Sequence, residues 1–140
     1  MIENFKIIGS FIKDMSSETP DSETFIFVRD KITKYRLKID INSKAVKKGI
    51  LEVNTILKFV DQPEILKKAH FEITYTTIVK VDEKISDKKE MEKIVICDVP
   101  NKIYPDLERI FLNLLTDSGY PGIKFEKKID FNELYKQRSN

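Results

Sequence analysis

The segment Tyr35-Arg36-Leu37-Lys38-Ile39-Asp40-Ile41 alternates apolar and charged residues without a break. Successive side chains of a β-strand point to opposite faces of a sheet, so this pattern predicts a strand with one buried and one solvated face. Two later stretches repeat the alternation, and a weaker version lies near the start. Their apolar positions are Leu51, Val53, Thr55, Leu57 and Phe59; then Phe71, Ile73, Tyr75, Val79 and Val81; and, near the start, Phe5, Ile7, Phe11 and Met15. The sequence therefore predicts four strands.

The stretches between these strands predict how they are connected. Residues 42–49 and 61–68 are short and polar, which suits the turns of antiparallel hairpins. The first and second strands are joined by a longer crossing at 16–30, which overlaps a stretch, 14–28, that has four acidic residues and no Lys or Arg. Phe25 and Phe27 lie in this crossing, and their period-2 spacing would also fit a short extra strand in the core.

The second face of the predicted sheet is not uniformly polar. Six apolar residues are assigned to it, which is more than a solvated face needs, although scattered surface apolar residues are common. We interpret this face as partly covered by another subunit. The six residues are Ile8, Ile12, Ile50, Ile56, Val60 and Ile78.

After residue 83 the apolar period becomes helical. Met91, Ile94 and Val95 predict a short helix or lip that ends near Pro100. A long helix follows, with apolar residues at 103, 107, 110, 111, 114 and 115, and Gly119 with Pro121 ends it. A last helix opens with Asp130 as N-cap and Glu133 three residues later. The prediction is an α+β fold in a single domain over 1–140, with a four-stranded antiparallel sheet followed by a long and a short C-terminal helix.

The composition favours a folded protein that works in a reducing compartment. The chain is 41% hydrophobic and 34% charged, as is typical of folded proteins. Its 25 basic and 23 acidic residues nearly balance, so the chain lacks the large positive charge that would indicate a nucleic-acid partner. Basic clusters at 44–48 and 67–68 lack the interleaved aromatic residues that would stack on bases. We interpret them as charged residues that keep hairpin turns soluble. The start resembles no signal peptide, and no apolar run approaches the ~20 residues of a membrane span. With one cysteine, these features predict a cytoplasmic protein without membrane insertion.

Few residues could support catalysis. The only histidine, His70, is assigned to the charged face of a strand, and the only cysteine, Cys97, follows an apolar stretch that predicts a buried thiol. One His and one Cys are too few for a tetrahedral zinc site, and no phosphate-binding or metalloprotease motif is present. The sequence therefore predicts a protein that is not an enzyme and uses no metal or cofactor.

Three segments, in order and at matching spacing, resemble the SecB family of export chaperones. Lys13-Asp14-Met15-Ser16 with Glu18-Thr19-Pro20 is similar to that family's KD(I/L)S-x-E-x-P. Val99-Pro100-Asn101-Lys102-Ile103-Tyr104-Pro105 is similar to its C-P-x-x-L-F-P. The final segment, Gly119-Tyr120-Pro121 through Ile129-Asp130-Phe131 to Leu134-Tyr135, resembles G-F-P…I-D-F-x-x-L-Y.

The resemblance implies a chaperone that holds unfolded preproteins in extended form without ATP, as a homotetramer built from two dimers. It also implies a peptide groove with one wall at Phe25, Ile26 and Phe27 and the other at Ile94, Val95 and Ile96. Low specificity would follow from many apolar and backbone contacts. For Phe25 and Phe27, plain core packing is the alternative interpretation.

The resemblance further implies that the client passes to the SecA motor through acidic residues on the sheet. Asp14, Glu18 and Glu72 match the family's positions, and such a cluster would bind a basic surface in a salt-sensitive way. The alternative is that Asp14 and Glu18 cap a turn. Thr76-Thr77 replaces the family's Gly-Gly, Val99 replaces its Cys, and the chain ends without the family's long C-terminal tail.

Three functions are therefore compared. The first is a holdase for secretory precursors, and the second is a chaperone dedicated to one partner such as an antitoxin. The third is a domain that encloses a small apolar ligand.

Overall fold

The computed structural model describes residues 4–61, 68–125 and 129–139. Among these residues, four strands form one antiparallel sheet in the order β1-β4-β3-β2, so β1 and β2 are its edges. The predicted α+β architecture is confirmed. The strands are β1 (Phe5–Glu18), β2 (Arg36–Lys47), β3 (Ile50–Val60) and β4 (His70–Val81). The helices are α1 (Ser22–Lys31), α2 (Lys88–Lys93), α3 (Val99–Asp117) and α4 (Phe131–Ser139).

The turn between β2 and β3 is much shorter than the predicted 42–49. Lys47 pairs with Ile50, so only Lys48 and Gly49 form the turn, and Gly49 adopts a φ of 78°. A two-residue hairpin needs positive φ in its turn, which glycine adopts without a steric penalty. The polar residues at 42–47 therefore extend the strand. Most of the other predicted turn, 61–68, lies outside the described residues.

One face of the sheet, here called the helix face, packs against α3 and forms the core. The alternation predicted for β3 and β4 is confirmed, because Val53, Leu57, Phe71, Ile73 and Val79 are all fully buried. From α3, Ile103, Leu107, Phe111 and Leu115, which recur every four residues, pack in one buried cluster with Leu57, Phe71 and Ile73. The opposite face, here called the open face, carries Glu52, Asn54, Glu72 and Thr76.

Two β-bulges change the faces that β1 presents. Ile8 and Lys13 are extra residues in the pairing with β4. Each extra residue shifts the alternation by one position, so Phe11 lies opposite Thr76 on the open face and Ile12 lies opposite Tyr75 on the helix face. The prediction that grouped Phe11 with Phe5 and Ile7 was wrong, as was the assignment of Ile12 to the open face.

The crossing after β1 forms a helix, so the alternative of an extra strand is wrong. Asp21 is the N-cap of α1, and its Oδ1 accepts a hydrogen bond from the Thr24 N–H at 2.8 Å. Val28 is the residue of α1 that is most deeply buried, and Phe25 and Phe27 lie beside it half-buried. A short 3-10 turn, Ile32–Lys34, then leads into β2.

The predicted helix near residue 94 does not end at Pro100. A π-helical segment, Ile94–Asp98, joins α2 to α3 in one continuous helical run. The Val99 N–H donates to the Ile94 carbonyl, five residues back, and Pro100 has no N–H to continue an α-helical ladder. Proline is tolerated here because it falls in the first turn of α3.

The C-terminal elements are arranged as the sequence predicts. α3 ends before Gly119, whose φ is 103°, and a Cβ there would lie 2.7 Å from the Phe25 ring. Glycine is therefore needed both for backbone conformation and for space. α4 begins after Asp130, whose Oδ1 accepts a hydrogen bond from the Glu133 N–H at 3.1 Å.

Candidate functional site

The first predicted groove wall lies on α1 and is partly exposed. The Phe25 ring contacts Tyr120, with 5.3 Å between ring centroids, and so it anchors α1 to the core. Ile26 points away from the core and is 55% exposed. Phe27 is half-buried, and the Lys31 ammonium lies 5.7 Å from its ring centroid. Ile26 and Phe27 are therefore accessible to a ligand, whereas Phe25 mainly supports the helix.

The second predicted wall is buried in this structure. Ile94, Val95 and Ile96 are at most 8% exposed and belong to a core cluster that includes Val53, Val79 and Phe131 of α4. The α1 residues pack against a different cluster, which contains Phe59, Phe71 and Tyr120. The structure thus does not bring the two walls together around one cleft in a single chain.

A half-buried apolar strip along β2 was not predicted as a site. Leu37 and Ile39 face the helix side but are only partly covered, because β2 is an edge strand. Phe27, Ile32 and Phe125 are also partly buried and pack against the same cluster. Alternation predicted the buried direction of Leu37 and Ile39. It could not show that the strand lies at the edge of the sheet, because strand order is not encoded in the pattern of a single strand.

The three acidic candidates lie together on the open face. Glu72 is opposite Ser16, whereas Asp14 and Glu18 flank Ser16 two residues away on β1 and are exposed. Cross-strand and diagonal neighbours on one face lie about 5–8 Å apart. Glu72 is partly neutralised, because its carboxylate lies 3.3 Å from Lys58 Nζ. His70 Nε2 lies 3.7 Å from the same carboxylate. We call Asp14, Glu18 and Glu72 the acidic corner.

A polar network crosses the centre of the open face. Asn54 donates to Glu52 at 3.0 Å and to Asn42 at 2.9 Å, and it accepts from Thr76 at 2.7 Å. Lys13 Nζ lies 3.2 Å from the Glu52 carboxylate. The Asn54 hydrogen bond and, after it, the Lys13 contact hold the pKa of Glu52 below its ordinary value, against the effect of burial. The network connects all four strands, and Thr76 contributes a hydroxyl where the resemblance implied glycine.

The edge strand β1 carries four exposed large apolar side chains. Ile8, Phe11, Ile12 and Met15 are 43–55% exposed, and the bulges distribute them over both faces. Soluble monomers rarely concentrate this much apolar surface on one edge strand, because it promotes association with other chains.

The cysteine that was considered for catalysis is part of the packed interior. The Cys97 thiol is buried and donates to Asn132 Oδ1 at 2.9 Å, and burial is the main factor that raises its pKa. The buried position predicted for Cys97 is therefore confirmed. Among the described residues no group of three or more His, Cys, Asp or Glu is placed to hold a metal ion. Within the same part of the chain, no helix is long and apolar enough to cross a membrane.

Comparisons with known proteins identify the family. The family model described as preprotein translocase subunit SecB matches residues 2–140. A putative protein-export protein SecB of Pelagibacter ubique (strain HTCC1062) is 86% identical over 140 residues, which is 100% of both chains. The protein-export protein SecB of Parvibaculum lavamentivorans is 25% identical over 135 residues, covering 95% of this chain and 77% of that protein.

A solved structure shows the same fold at low sequence identity. It is a SecB-like chaperone of Mycobacterium tuberculosis in complex with a peptide from the HigA1 antitoxin. The TM-score is 0.60 at 9% identity, and the match covers 90% of this chain and 91% of that one. The resemblance found in the three sequence segments is thus confirmed, and the chain belongs to the SecB family of protein-export chaperones.

Proposed function

We propose that this chain holds unfolded secretory precursors in extended form, without nucleotide, along the apolar strip beside β2. The observation that carries the proposal is the half-buried pair Leu37 and Ile39 on an edge strand, with Ile26 and Phe27 accessible on α1. An extended segment could place alternate side chains on this strip and pair its backbone with the strand edge. Ile94, Val95 and Ile96 would contribute only after they are uncovered.

The proposal includes a cytoplasmic homotetramer in which the β1 edges meet. Pairing of two β1 strands about a two-fold axis would cover Ile8, Phe11, Ile12 and Met15. The antiparallel arrangement would also place the Lys6 end of one strand beside the Glu18 end of the other, which is favourable for their charges. The half-buried Ile50, Ile56, Val60 and Ile78 on the open face remain candidates for contact with another subunit.

The proposal also assigns transfer of the client to SecA, through the acidic corner. Asp14 and Glu18 are exposed and lie on a rigid sheet, which supports a salt-sensitive contact with a basic surface. Glu72 is expected to contribute less, because the Lys58 ammonium already lies beside its carboxylate.

An aggregation assay tests the proposed function directly. The purified protein is expected to suppress light scattering from a chemically denatured, secreted protein diluted from denaturant, at one tetramer per client and without ATP. Its mass, alone and with client, is measured in the same samples by light scattering. A monomer that leaves aggregation unchanged would refute the proposal. Protection of a single antitoxin, with no effect on general clients, would favour the dedicated chaperone.

A further inference from the structure

Arg138 of α4 is bound to the edge of β2 at two adjacent residues. Its guanidinium donates to the Ile41 carbonyl at 3.2 Å and to Asp40 Oδ1 at 3.0 Å. The same Asp40 oxygen accepts a hydrogen bond from the Ile41 N–H at 3.0 Å. Both outward-facing backbone groups of Ile41 are therefore satisfied by side chains.

This arrangement reproduces the hydrogen bonds of an additional strand. In an antiparallel ladder, a residue on the next strand would donate one N–H to the Ile41 carbonyl and accept one hydrogen bond from the Ile41 N–H. Here Arg138 supplies the donor and Asp40 supplies the acceptor. The pair thus occupies the position that the backbone of an incoming peptide would take.

In the part of the chain that the structure describes, nothing caps the adjacent part of the same edge in this way. In a strand, the direction of the backbone N–H and C=O groups repeats every two residues. Leu37 and Ile39 therefore present these groups to the same side as Ile41. Within residues 4–61, 68–125 and 129–139, no hydrogen bond outside the sheet reaches these groups. Their side chains are the half-buried pair of the apolar strip.

We infer that the Arg138–Asp40 pair is a displaceable cap that sets how far an extended client segment can pair along β2. The inference rests on the proposed function. A segment paired with Leu37 and Ile39 extends to Ile41 only by replacing Arg138. The replacement is feasible because both side chains of the ion pair are largely solvated, at 45% and 65% exposure, and such pairs are weak.

The same displacement would loosen α4. This helix is also held by the Tyr135 hydroxyl, which donates to the Lys89 carbonyl at 3.3 Å, and by the bond between Cys97 and Asn132. Loss of the Arg138 contact would leave α4 with fewer attachments to the rest of the chain. Cys97 is the only cysteine and is buried beside α4, so its rate of alkylation reports opening of the helix.

The first test compares the affinity of Arg138→Ala and Gln137→Ala for a short, labelled peptide of alternating Leu and Ser. Gln137 is the exposed neighbour on α4 and serves as the control. Arg138→Ala and Asp40→Ala are each expected to bind the peptide about two- to fivefold more tightly than the wild type. The reason is that the removed side chain no longer competes with the peptide for the backbone groups of Ile41. Equal or weaker binding by both cap variants, with unchanged circular dichroism, would overturn the cap.

The second test uses the same peptide with every Leu amide N-methylated, which removes its ability to pair with a strand edge. The unmethylated peptide is expected to raise the rate of Cys97 alkylation in the wild type, and the methylated peptide to leave it unchanged. An equal response to both peptides would overturn the inference. Failure of the wild type to bind either peptide or any denatured client would instead refute the proposed function.

Discussion

The two edges of the sheet differ in how they are protected from pairing with another chain. β1 is long, carries two bulges and exposes four large apolar side chains, so apolar contact with a folded surface suits it. β2 half-buries its apolar side chains and is capped at Ile41 by a charged pair. An extended segment of an unfolded client can pair its backbone with this edge at Leu37 and Ile39 and place alternate side chains on the apolar strip. Under the proposed function, β1 therefore serves subunit assembly and β2 serves client binding.

The largest expected effect comes from placing a charge on the β1 edge. Phe11→Asp would bury an unpaired carboxylate in the proposed subunit contact, at a cost of several kcal/mol, and is expected to dissociate the tetramer. Light scattering should show a mass falling toward the 16.4 kDa chain. Val46→Asp is the control, because Val46 is 52% exposed on β2. Dissociation of the tetramer by Val46→Asp, or an intact tetramer with Phe11→Asp, would contradict the proposal that β1 forms the subunit contact.

The next effect concerns the β2 strip. Leu37→Ser is expected to weaken binding of an unfolded client about fivefold to tenfold, because about 1 kcal/mol of apolar contact is lost at a half-buried site. Titration calorimetry or fluorescence anisotropy measures the affinity. Lys38→Ser is the control, since this neighbour points to the open face. Equal losses in both variants would show that the strip has no special role.

A smaller effect is expected at the acidic corner. The double variant Asp14→Asn, Glu18→Gln should weaken SecA binding about threefold and flatten its salt dependence, because two exposed charges are removed. Glu72→Gln should matter less, because Lys58 partly neutralises this carboxylate. Surface plasmon resonance at several salt concentrations measures both. The control is Asp117→Asn, an exposed acid on α3, and an equal response there would contradict a specific acidic surface.

The smallest effect concerns the polar network that connects the two edges. The pKa of Glu52 is lowered in the folded state, so its contribution to stability is present above its ordinary value of 4.5 and is lost as the pH falls through the folded-state value. Glu52→Gln should reduce the loss of stability below pH 4.5 and cost about 1 kcal/mol or less at neutral pH. Urea unfolding across this pH range tests it, with the exposed Glu83→Gln as control. An identical pH dependence in wild type and Glu52→Gln would contradict the role of the network.

The sequence was informative where a local pattern determines structure. Alternation identified the strands, and Asp130 marked the start of α4, because both signals lie within a few residues. The faces of Phe11 and Ile12 could not be predicted, since a bulge depends on pairing with β4. α1 was missed because its apolar residues are few and adjacent, so their period is ambiguous.

The candidate site was only partly predictable for the same reason. The acidic corner follows from residue positions once the strands pair, and the structure brings its members together. The partial exposure of Leu37 and Ile39 depends on strand order, and the contact between Arg138 and Ile41 joins residues at sequence positions far apart. Neither is encoded in a local pattern.

Hydrogen exchange with and without a bound, unfolded client tests the assignment of the edges most directly. The account predicts that β1 amides are already protected in the free tetramer and do not change, whereas the amides of Leu37, Ile39 and Ile41 become protected when the client binds. Client-dependent protection on β1, with no change on β2, would contradict it.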